Sequence, residues 1–196
     1  MTPVSTDLRT SRLLLRRWAP ADRAPFAALN ADARAMEHFP APLDRTASDA
    51  LADRADAHLA EHGWGLWAVE VADGEDAGRF AGFTGLAVPR FEAAFTPCVE
   101  IGWRLTPWSW GRGYATEAAR AALGVAFEDV ALEEVVSFTA ATNTRSRAVM
   151  ERLGMRRDPD DDFDHPNLPP GHRLRRHVLH RLPAGAWRAQ QPGPAR

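Results

Sequence analysis

The stretch VEIGWRLTPWSWGRGYATEAARAALGVAF, residues 99–127, decides how this chain folds. Its first residues are largely apolar and predict a strand over residues 98–105, and its alanine-rich second half predicts a helix from about residue 115 to 127. Between the two, Gly111 and Gly113 carry no side chain, so a ligand can lie against the backbone there. The connection is either a binding loop or an ordinary tight turn.

The beginning of this helix favours a negatively charged ligand. The amides of a first helical turn lack partners inside the helix, and they lie at the positive end of the helix dipole. Both features attract an anion, most simply a phosphate. We therefore expect the strand to lead a phosphate-carrying ligand to the N-terminus of the helix.

The remaining segments predict a single α/β domain. Helix 45–62 is bounded by Asp44 as its N-cap and by Gly63 as its stop. Periodicity and turn residues predict two more helices, over residues 20–32 and 144–153, and strands over residues 12–18, 65–71, 80–88, 98–105, 135–141 and 174–182. The order β-α-α-β-β-β-α-β-α-β indicates a mixed, largely antiparallel central sheet with flanking helices.

Three segments are predicted to lie outside this framework. Residues 1–11 form a loose lead-in, residues 158–170 an acidic, proline-rich loop, and residues 183–196 a weakly ordered C-terminal tail. The domain itself is expected over residues 8–182. A length of 196 residues suits one domain with a full hydrophobic core.

Composition argues against several classes of function. The formal net charge of -2 gives no global electrostatic reason to bind nucleic acid or an anionic membrane, and no apolar stretch approaches the ~20 residues of a membrane-spanning helix. The single Cys98 suits a reducing compartment, and the N-terminus is polar where a signal peptide would be apolar. The seven His residues show no zinc spacing, and the acidic run at residues 158–165 does not fit a calcium loop. We expect a soluble, cytoplasmic protein without metal, nucleic-acid or membrane partners.

Four sequence features together resemble a known family. They are RLLLR at residues 12–16, VEIGWRL with WGRGYATEA within residues 99–118, NTRSRAVMERLGM at residues 143–155, and the closing strand. On these residues the chain resembles the GNAT superfamily of acyl-CoA-dependent N-acetyltransferases, and most closely its branch of ribosomal-protein N-terminal acetyltransferase-like enzymes. The resemblance covers about residues 8–182 and implies the acyl-CoA N-acyltransferase fold, with acetyl-CoA as the co-substrate.

The resemblance also implies where the co-substrate binds. The superfamily's loop signature falls on Trp110, Gly113 and Ala115, and Trp110 departs from the usual Gln or Arg. The loop amides would hold the CoA pyrophosphate, and the backbone of strand 98–105 would pair with the pantetheine arm. The implied binding residues are Trp103, Arg104, Leu105, Gly111, Arg112, Gly113, Tyr114, Ala115, Thr116 and Asn143.

Glu100 is the predicted general base. Attack on a thioester needs a neutral amine, so a group must accept a proton near neutral pH. Glu100 lies in an otherwise apolar strand, where burial would raise its pKa, and the resemblance places it where several superfamily members carry their base. The alternative is an edge carboxylate or an ion-pair partner of Arg104.

Two residues at the start of helix 144–153 carry further predictions. Asn143 matches the family's asparagine that holds the pantetheine, and a plain helix N-cap is the alternative. Met150 stands where the family often has a tyrosine that protonates the leaving thiolate. The ribosomal branch implies Ser146 for this role, with first-turn capping as the alternative.

The resemblance therefore implies transfer of the acetyl group of acetyl-CoA to a primary amine, which we expect to proceed by direct attack in a ternary complex. The acceptor would be a small-molecule amine or a protein N-terminus, and the protein a monomer or a homodimer. The alternative is a non-catalytic CoA-binding sensor or partner-binding module, which the missing tyrosine supports. A nucleotide-binding phosphate loop is disfavoured because the chain contains no Lys. Loops around residues 36–43 and 158–173 are expected to select the acceptor.

Overall fold

A sheet with helices on both faces forms the framework of the chain, and the structure, a computed structural model, describes residues 7–191. The strands are β1 (Leu8–Arg9), β2 (Leu13–Arg16), β3 (Leu66–Val71), β4 (Phe80–Ala87), β5 (Glu100–Leu105), β6 (Glu134–Ala140), β7 (Arg156–Arg157), β8 (Phe163–Asp164) and β9 (Arg176–Pro183). The helices are α1 (Arg23–Ala31), α2 (Arg45–His62), α3 (Tyr114–Gly124), α4 (Thr144–Arg152) and α5 (Ala184–Gln190). The predicted order of the main elements is confirmed.

The strands form one sheet in the order β1-β2-β3-β4-β5-β6-β9-β7, with β8 paired to β9. Its recorded strand pairs are antiparallel except that β5 and β6 run parallel. This confirms the predicted mixed, largely antiparallel sheet. The parallel pair meets in one register, with Glu100 beside Val136, and the two strands diverge beyond it.

Two hydrophobic clusters hold helices to opposite faces of the sheet. One joins Ile101 and Leu105 of β5 to α3 through Ala118, and the other joins Phe83 of β4 to Phe26 of α1. Successive side chains of a strand point to opposite faces. Glu100, Gly102 and Arg104 therefore lie on the face away from α3.

Local signals explain why helix α2 has the predicted bounds. The Asp44 carboxylate accepts a hydrogen bond from the Ala47 amide at 2.7 Å, which satisfies one of the amides left free at the helix start. Gly63 ends the helix with φ of 76°, a left-handed conformation that glycine adopts without steric penalty. Helix α3, in contrast, ends at Gly124 and continues as a π-helical turn, Val125–Asp129.

The lead-in, the acidic loop and the two residues before that loop contain strands that the sequence analysis did not predict. Leu8–Arg9 forms β1 on β2, and residues 1–6 lie outside the described part of the chain. Arg156–Arg157 and Phe163–Asp164 each pair with β9. A two-residue strand leaves no periodicity in the sequence, because its neighbour in space determines it.

The prediction of a weakly ordered tail is wrong for the described residues 183–191. Residues Ala184–Gln190 form α5, and Trp187 is 4% exposed with its ring stacked on Phe127 at 5.6 Å between centroids. Burial of a large indole stabilises this short helix, although Gly185 within it does not favour helix formation. Residues 192–196 lie outside the described part.

Candidate active site

The divergence of β5 and β6 opens a cleft that continues into a cavity of about 1190 Å³. The cavity is walled by β5, by the first turns of α3 and α4, and by loop residues near 34–40 and 165–168. With the exception of Arg112, the site residues predicted from the sequence line it: Glu100, Trp103, Arg104, Leu105, Gly111, Gly113, Tyr114, Ala115, Thr116, Asn143 and Ser146. The structure thus brings together residues that lie up to 46 positions apart in the chain.

The open edge of β5 offers backbone groups to a ligand. The Val99 carbonyl accepts a hydrogen bond from the Val136 amide at 3.0 Å, and the Ile101 carbonyl accepts one from the Ser137 hydroxyl at 2.9 Å. Odd-numbered residues therefore direct their backbone groups toward β6. Because strand residues alternate, the amide and carbonyl of Trp103 point to the same side, where β6 has moved away. An extended arm that bears amides can pair with them.

The two neighbours of Trp103 are less suited to this pairing than the sequence analysis predicted. The backbone of Arg104 is directed toward β4, since even-numbered residues face that strand, as the 2.8 Å hydrogen bond from the Thr106 amide to the Ala81 carbonyl shows. The Leu105 carbonyl already accepts a hydrogen bond from the Trp110 indole at 2.8 Å. Trp103 is the central residue of this edge.

The loop after β5 is shaped like an anion site. Gly111 and Gly113 have φ of 76° and 80°, a left-handed conformation that favours glycine. The Glu117 amide is bonded to the Gly113 carbonyl at 3.1 Å, and the amides of residues 114–116 precede that first helical bond. Their N–H groups therefore point out of the helix N-terminus toward the cavity wall that these residues form.

Arg12 holds this loop from its outer side, a role that the sequence analysis did not assign. Its guanidinium donates to the Arg112 carbonyl at 2.9 Å and to the Glu117 carboxylate at 2.7 Å, and it lies 5.0 Å from the centre of the Tyr114 ring. Glu117 also accepts a hydrogen bond from the Thr10 hydroxyl at 2.6 Å. The RLLLR segment thus anchors the loop to the edge of the sheet.

Arg112 differs from its prediction. Its side chain is exposed and pairs with Asp76 at 2.6 Å, directed away from the cavity that its neighbours line. The guanidinium pairs with the carboxylate of Asp76, which belongs to the turn between β3 and β4. The loop motif around Arg112 contains no information about that turn. Only the backbone of Arg112 stays near the cleft.

Glu100 lies at the closed end of the cleft, where β5 and β6 still pair. Burial raises the pKa of its carboxyl to about 7. Within residues 7–191 no hydrogen bond or ion pair to this carboxyl is recorded, and Arg104 bonds to Asn30 instead. The alternative in which Glu100 is the partner of Arg104 is therefore wrong.

Asn143 and Ser146 form a small network at the start of α4. Asn143 accepts a hydrogen bond from the Ser146 amide at 3.2 Å, which confirms its interpretation as a helix N-cap. Its side-chain amide donates to the hydroxyls of Thr139 at 2.9 Å and Ser146 at 3.0 Å. Because the Ser146 oxygen acts as an acceptor here, its own proton is available to a group in the cavity.

The far wall of the cavity comes from loops that meet above it. His38 lies 3.5 Å from the Thr142 hydroxyl, and Arg173 donates to the Glu37 carbonyl at 2.8 Å. Phe138 and His177 also line the cavity, although no sequence motif marked them. Among the described residues that line it, Glu100 is the one acidic side chain, and four are Arg: Arg34, Arg104, Arg145 and Arg152.

A comparison with known families decides what this architecture belongs to. Residues 12–156 match the family model described as an acetyltransferase (GNAT) domain. The chain belongs to the GNAT acetyltransferase family. Since GNAT acetyltransferases use acetyl-CoA, the chain carries an acetyl-CoA-dependent N-acetyltransferase domain.

Relatives of this GNAT domain are found among curated proteins and solved structures. The FsC-acetyl coenzyme A-N(2)-transacetylase of Aspergillus fumigatus is 42% identical over 97 residues, which are 47% of this chain and 39% of that protein, so the match spans about two fifths of the relative. An acetyltransferase structure from Agrobacterium tumefaciens str. C58 is 30% identical with a TM-score of 0.69, covering 90% of this chain and 93% of the other. The spermidine N-acetyltransferase from Vibrio cholerae, in complex with CoA and spermine, shares the fold at 18% identity and a TM-score of 0.68, with 91% and 99% covered.

The described residues offer neither a grouped set of metal ligands nor a membrane-spanning helix. Within residues 7–191, no three His, Cys, Asp or Glu side chains are grouped so that they could hold a metal ion. None of the helices that the structure describes combines the length and hydrophobicity needed to cross a bilayer.

Proposed function

We propose that this GNAT domain transfers the acetyl group of acetyl-CoA to a primary amine by direct attack in a ternary complex, with Glu100 as the general base. The observation that carries the proposal is the position of Glu100, whose carboxyl has a pKa of about 7 at the closed end of the cleft. Such a carboxylate can accept the proton that an attacking amine must lose near neutral pH.

The residues of the cleft fit acetyl-CoA, which supplies a thioester-activated acetyl group when bound. The backbone of Trp103 would pair with the pantetheine arm, and Leu105 and Asn143 line the cavity near it. The left-handed glycines and the amides of residues 111–116 would receive the pyrophosphate. Arg145 adds positive charge next to this loop, since its guanidinium lies 4.4 Å from the centre of the Trp110 ring.

Ser146 is the candidate donor to the sulfur of the leaving thiolate. Met150, at the position of the family's usual tyrosine, is 1% exposed in the core and has no proton to donate. The Ser146 hydroxyl lines the cavity, and its proton is not used in the bond from Asn143. A hydrogen bond to sulfur would favour departure of the thiolate.

The acceptor follows from the charge of the cavity. A polyamine carries several positive charges and calls for several carboxylates, whereas the described cavity residues include a single acid, Glu100. We therefore favour an acceptor with a single amino group over a polyamine. Both a protein N-terminus, as the likeness to the ribosomal-protein N-terminal acetyltransferase branch implies, and a small-molecule amine meet this requirement.

The alternative is a CoA-binding sensor, and the absence of a hydroxyl at Met150 favours it. Two measurements distinguish the enzyme from the sensor. Calorimetry with CoA reports whether the cleft binds the co-substrate, and release of free thiol from acetyl-CoA across a panel of amines reports turnover. The proposal predicts both, with turnover lost in Glu100→Gln and kept in the exposed control Glu61→Gln. CoA binding without turnover on any amine would favour the sensor.

A further inference from the structure

The Arg104 guanidinium borders the cavity and pairs with no carboxylate among residues 7–191. It donates to the Asn30 side-chain oxygen, and its buried Nε has no hydrogen-bond partner in that part of the chain. Across residues 7–191 no Asp or Glu is recorded in an ion pair with it, and burial lowers its pKa to about 10, so it stays charged at neutral pH. A buried charge is costly unless a partner compensates for it.

The structure holds this guanidinium in one place. Its central carbon lies 4.0 Å from the centre of the Phe39 ring and 5.4 Å from that of Phe83, so aromatic rings cover it. Asn30 is fully buried and donates in turn to the Ser48 hydroxyl at 2.9 Å. Arg104 is thus fixed through α1 and α2, unlike a surface arginine that samples many rotamers.

Arg104 and Glu100 lie at the two ends of one unobstructed face of β5. Both side chains project from the same face of β5, with Gly102 between them, and a Cβ added at Gly102 would meet no atom within 4 Å. Four residues of extended strand separate their Cα atoms by roughly 13 Å. Burial alone shifts both pKa values, so the two charges do not compensate each other.

The surroundings of Arg104 separate it from the phosphate-binding loop. Phe83, which lies beside it, belongs to the hydrophobic cluster on the α1–α2 face of the sheet, and Leu51 and Leu66 of the same cluster also line the cavity. The N-terminus of α3 lies on the opposite face. A CoA phosphate held at that N-terminus would lie across the sheet from the guanidinium.

We propose that Arg104 receives an anionic group of the acceptor, so that the acceptor is an amine on an apolar body that also carries a carboxylate or a phosphate. The inference rests on the proposed function, since it places the amine at Glu100. A planar fork of N–H donors can bind a carboxylate or phosphate oxygen pair, and the apolar wall accommodates the chain between the two ends.

The test compares ligands that differ only at the anionic end. 6-Aminohexanoate, its carboxamide, and an aminoalkyl phosphate of matched length are titrated into the CoA-loaded protein by calorimetry, and each is assayed for thiol release with acetyl-CoA saturating. We expect at least tenfold tighter binding and tenfold higher kcat/KM for an anionic amine than for the carboxamide. The carboxylate and phosphate arms identify which anion is preferred.

Variants assign the preference to Arg104. Arg104→Gln should remove the discrimination between anion and carboxamide while the KM for acetyl-CoA stays unchanged, and Arg104→Lys should restore part of it. Arg45 is exposed, so Arg45→Gln serves as the control and should keep the discrimination between anion and carboxamide. The inference would be overturned if Arg104→Gln weakened binding of the anionic amine and the carboxamide equally, or if it raised the KM for acetyl-CoA. Equal affinity of the wild type for the anionic amine and the carboxamide would also overturn it. Arg104-dependent binding without thiol release would support it and contradict the proposed function alone.

Discussion

At the scale of single residues, Glu100 shows how position sets chemistry. The same carboxyl on the surface would be ionised well below neutral pH, whereas here burial raises its pKa to about 7. The strand sequence alone indicated that a carboxylate would sit among apolar neighbours. The strand sequence could not indicate that β5 and β6 diverge just beyond Glu100, because this divergence depends on β6, some 35 residues further along the chain.

This raised pKa predicts a pH-dependent stability. The folded protein binds the Glu100 proton more tightly than the unfolded chain, so this contribution is complete below the ordinary pKa of 4.5 and is lost as pH rises through about 7. Glu100→Gln should therefore be more stable than wild type at about pH 8, by at most about 3 kcal/mol, the upper limit set by the raised pKa. Denaturant unfolding at about pH 4 and pH 8 measures the difference. An equal difference at both pH values would contradict the burial account.

At the scale of elements, the loop from β5 to α3 depends on backbone conformation. Gly113 has φ of 80°, and a Cβ there would lie 3.4 Å from the Arg12 guanidinium. Gly113→Ala should destabilise the protein by about 1–2 kcal/mol and weaken CoA binding, because the left-handed conformation is strained for alanine. Gly124, in right-handed helical conformation with φ of -55° and open space around it, provides the matched control.

Gly124→Ala should leave CoA binding unchanged and stabilise the protein by up to about 1 kcal/mol, since alanine favours a helix. Thermal unfolding and calorimetry with CoA measure both variants. If the two substitutions had the same effect on CoA affinity, the conformation of Gly113 would not matter for the site.

Helix α5 supports a second prediction at this scale. Trp187 is 4% exposed and stacks on Phe127, and its buried indole N–H has no hydrogen-bond partner among the residues that the structure describes. Trp187→Ala should lower the free energy of unfolding by about 3–5 kcal/mol through the cavity that it leaves. Trp187→Phe keeps the ring contact and removes the unpaired N–H, so its cost should be much smaller. If Trp187→Ala lowered the free energy of unfolding only slightly, residues 184–190 would be the weakly ordered tail that the sequence predicts.

The elements also show what the sequence can and cannot predict. Helix α2 was predicted residue by residue because Asp44 and Gly63 act locally, through a hydrogen bond and a backbone conformation. The short strands β1, β7 and β8 were missed because pairing with a distant neighbour defines them. Helix α5 was missed because its burial against Phe127 outweighs weak local propensity.

At the scale of the whole molecule, the proposed acetyl-CoA side of the cavity was easier to predict than the proposed acceptor side. The donor residues follow one another along a strand, a loop and a helix, so their order carried a family motif. The other walls of the cavity combine α2, β6, β9 and the loops near residues 34–40 and 165–168, and side chains such as Phe138 and His177 line it only because of tertiary packing. The isolated charge of Arg104 likewise became visible only with its surroundings.

The central claim is that Glu100 accepts the proton of the attacking amine within this cleft. The pH dependence of kcat, measured by thiol release at saturating acetyl-CoA and amine, tests it most directly. Wild type should show a rise with an apparent pKa of about 7. Glu100→Gln should lose this limb and be slower by about 10²-fold or more near pH 7.5, with CoA affinity unchanged. A Glu100→Gln variant with the wild-type rate and pH profile would contradict the claim.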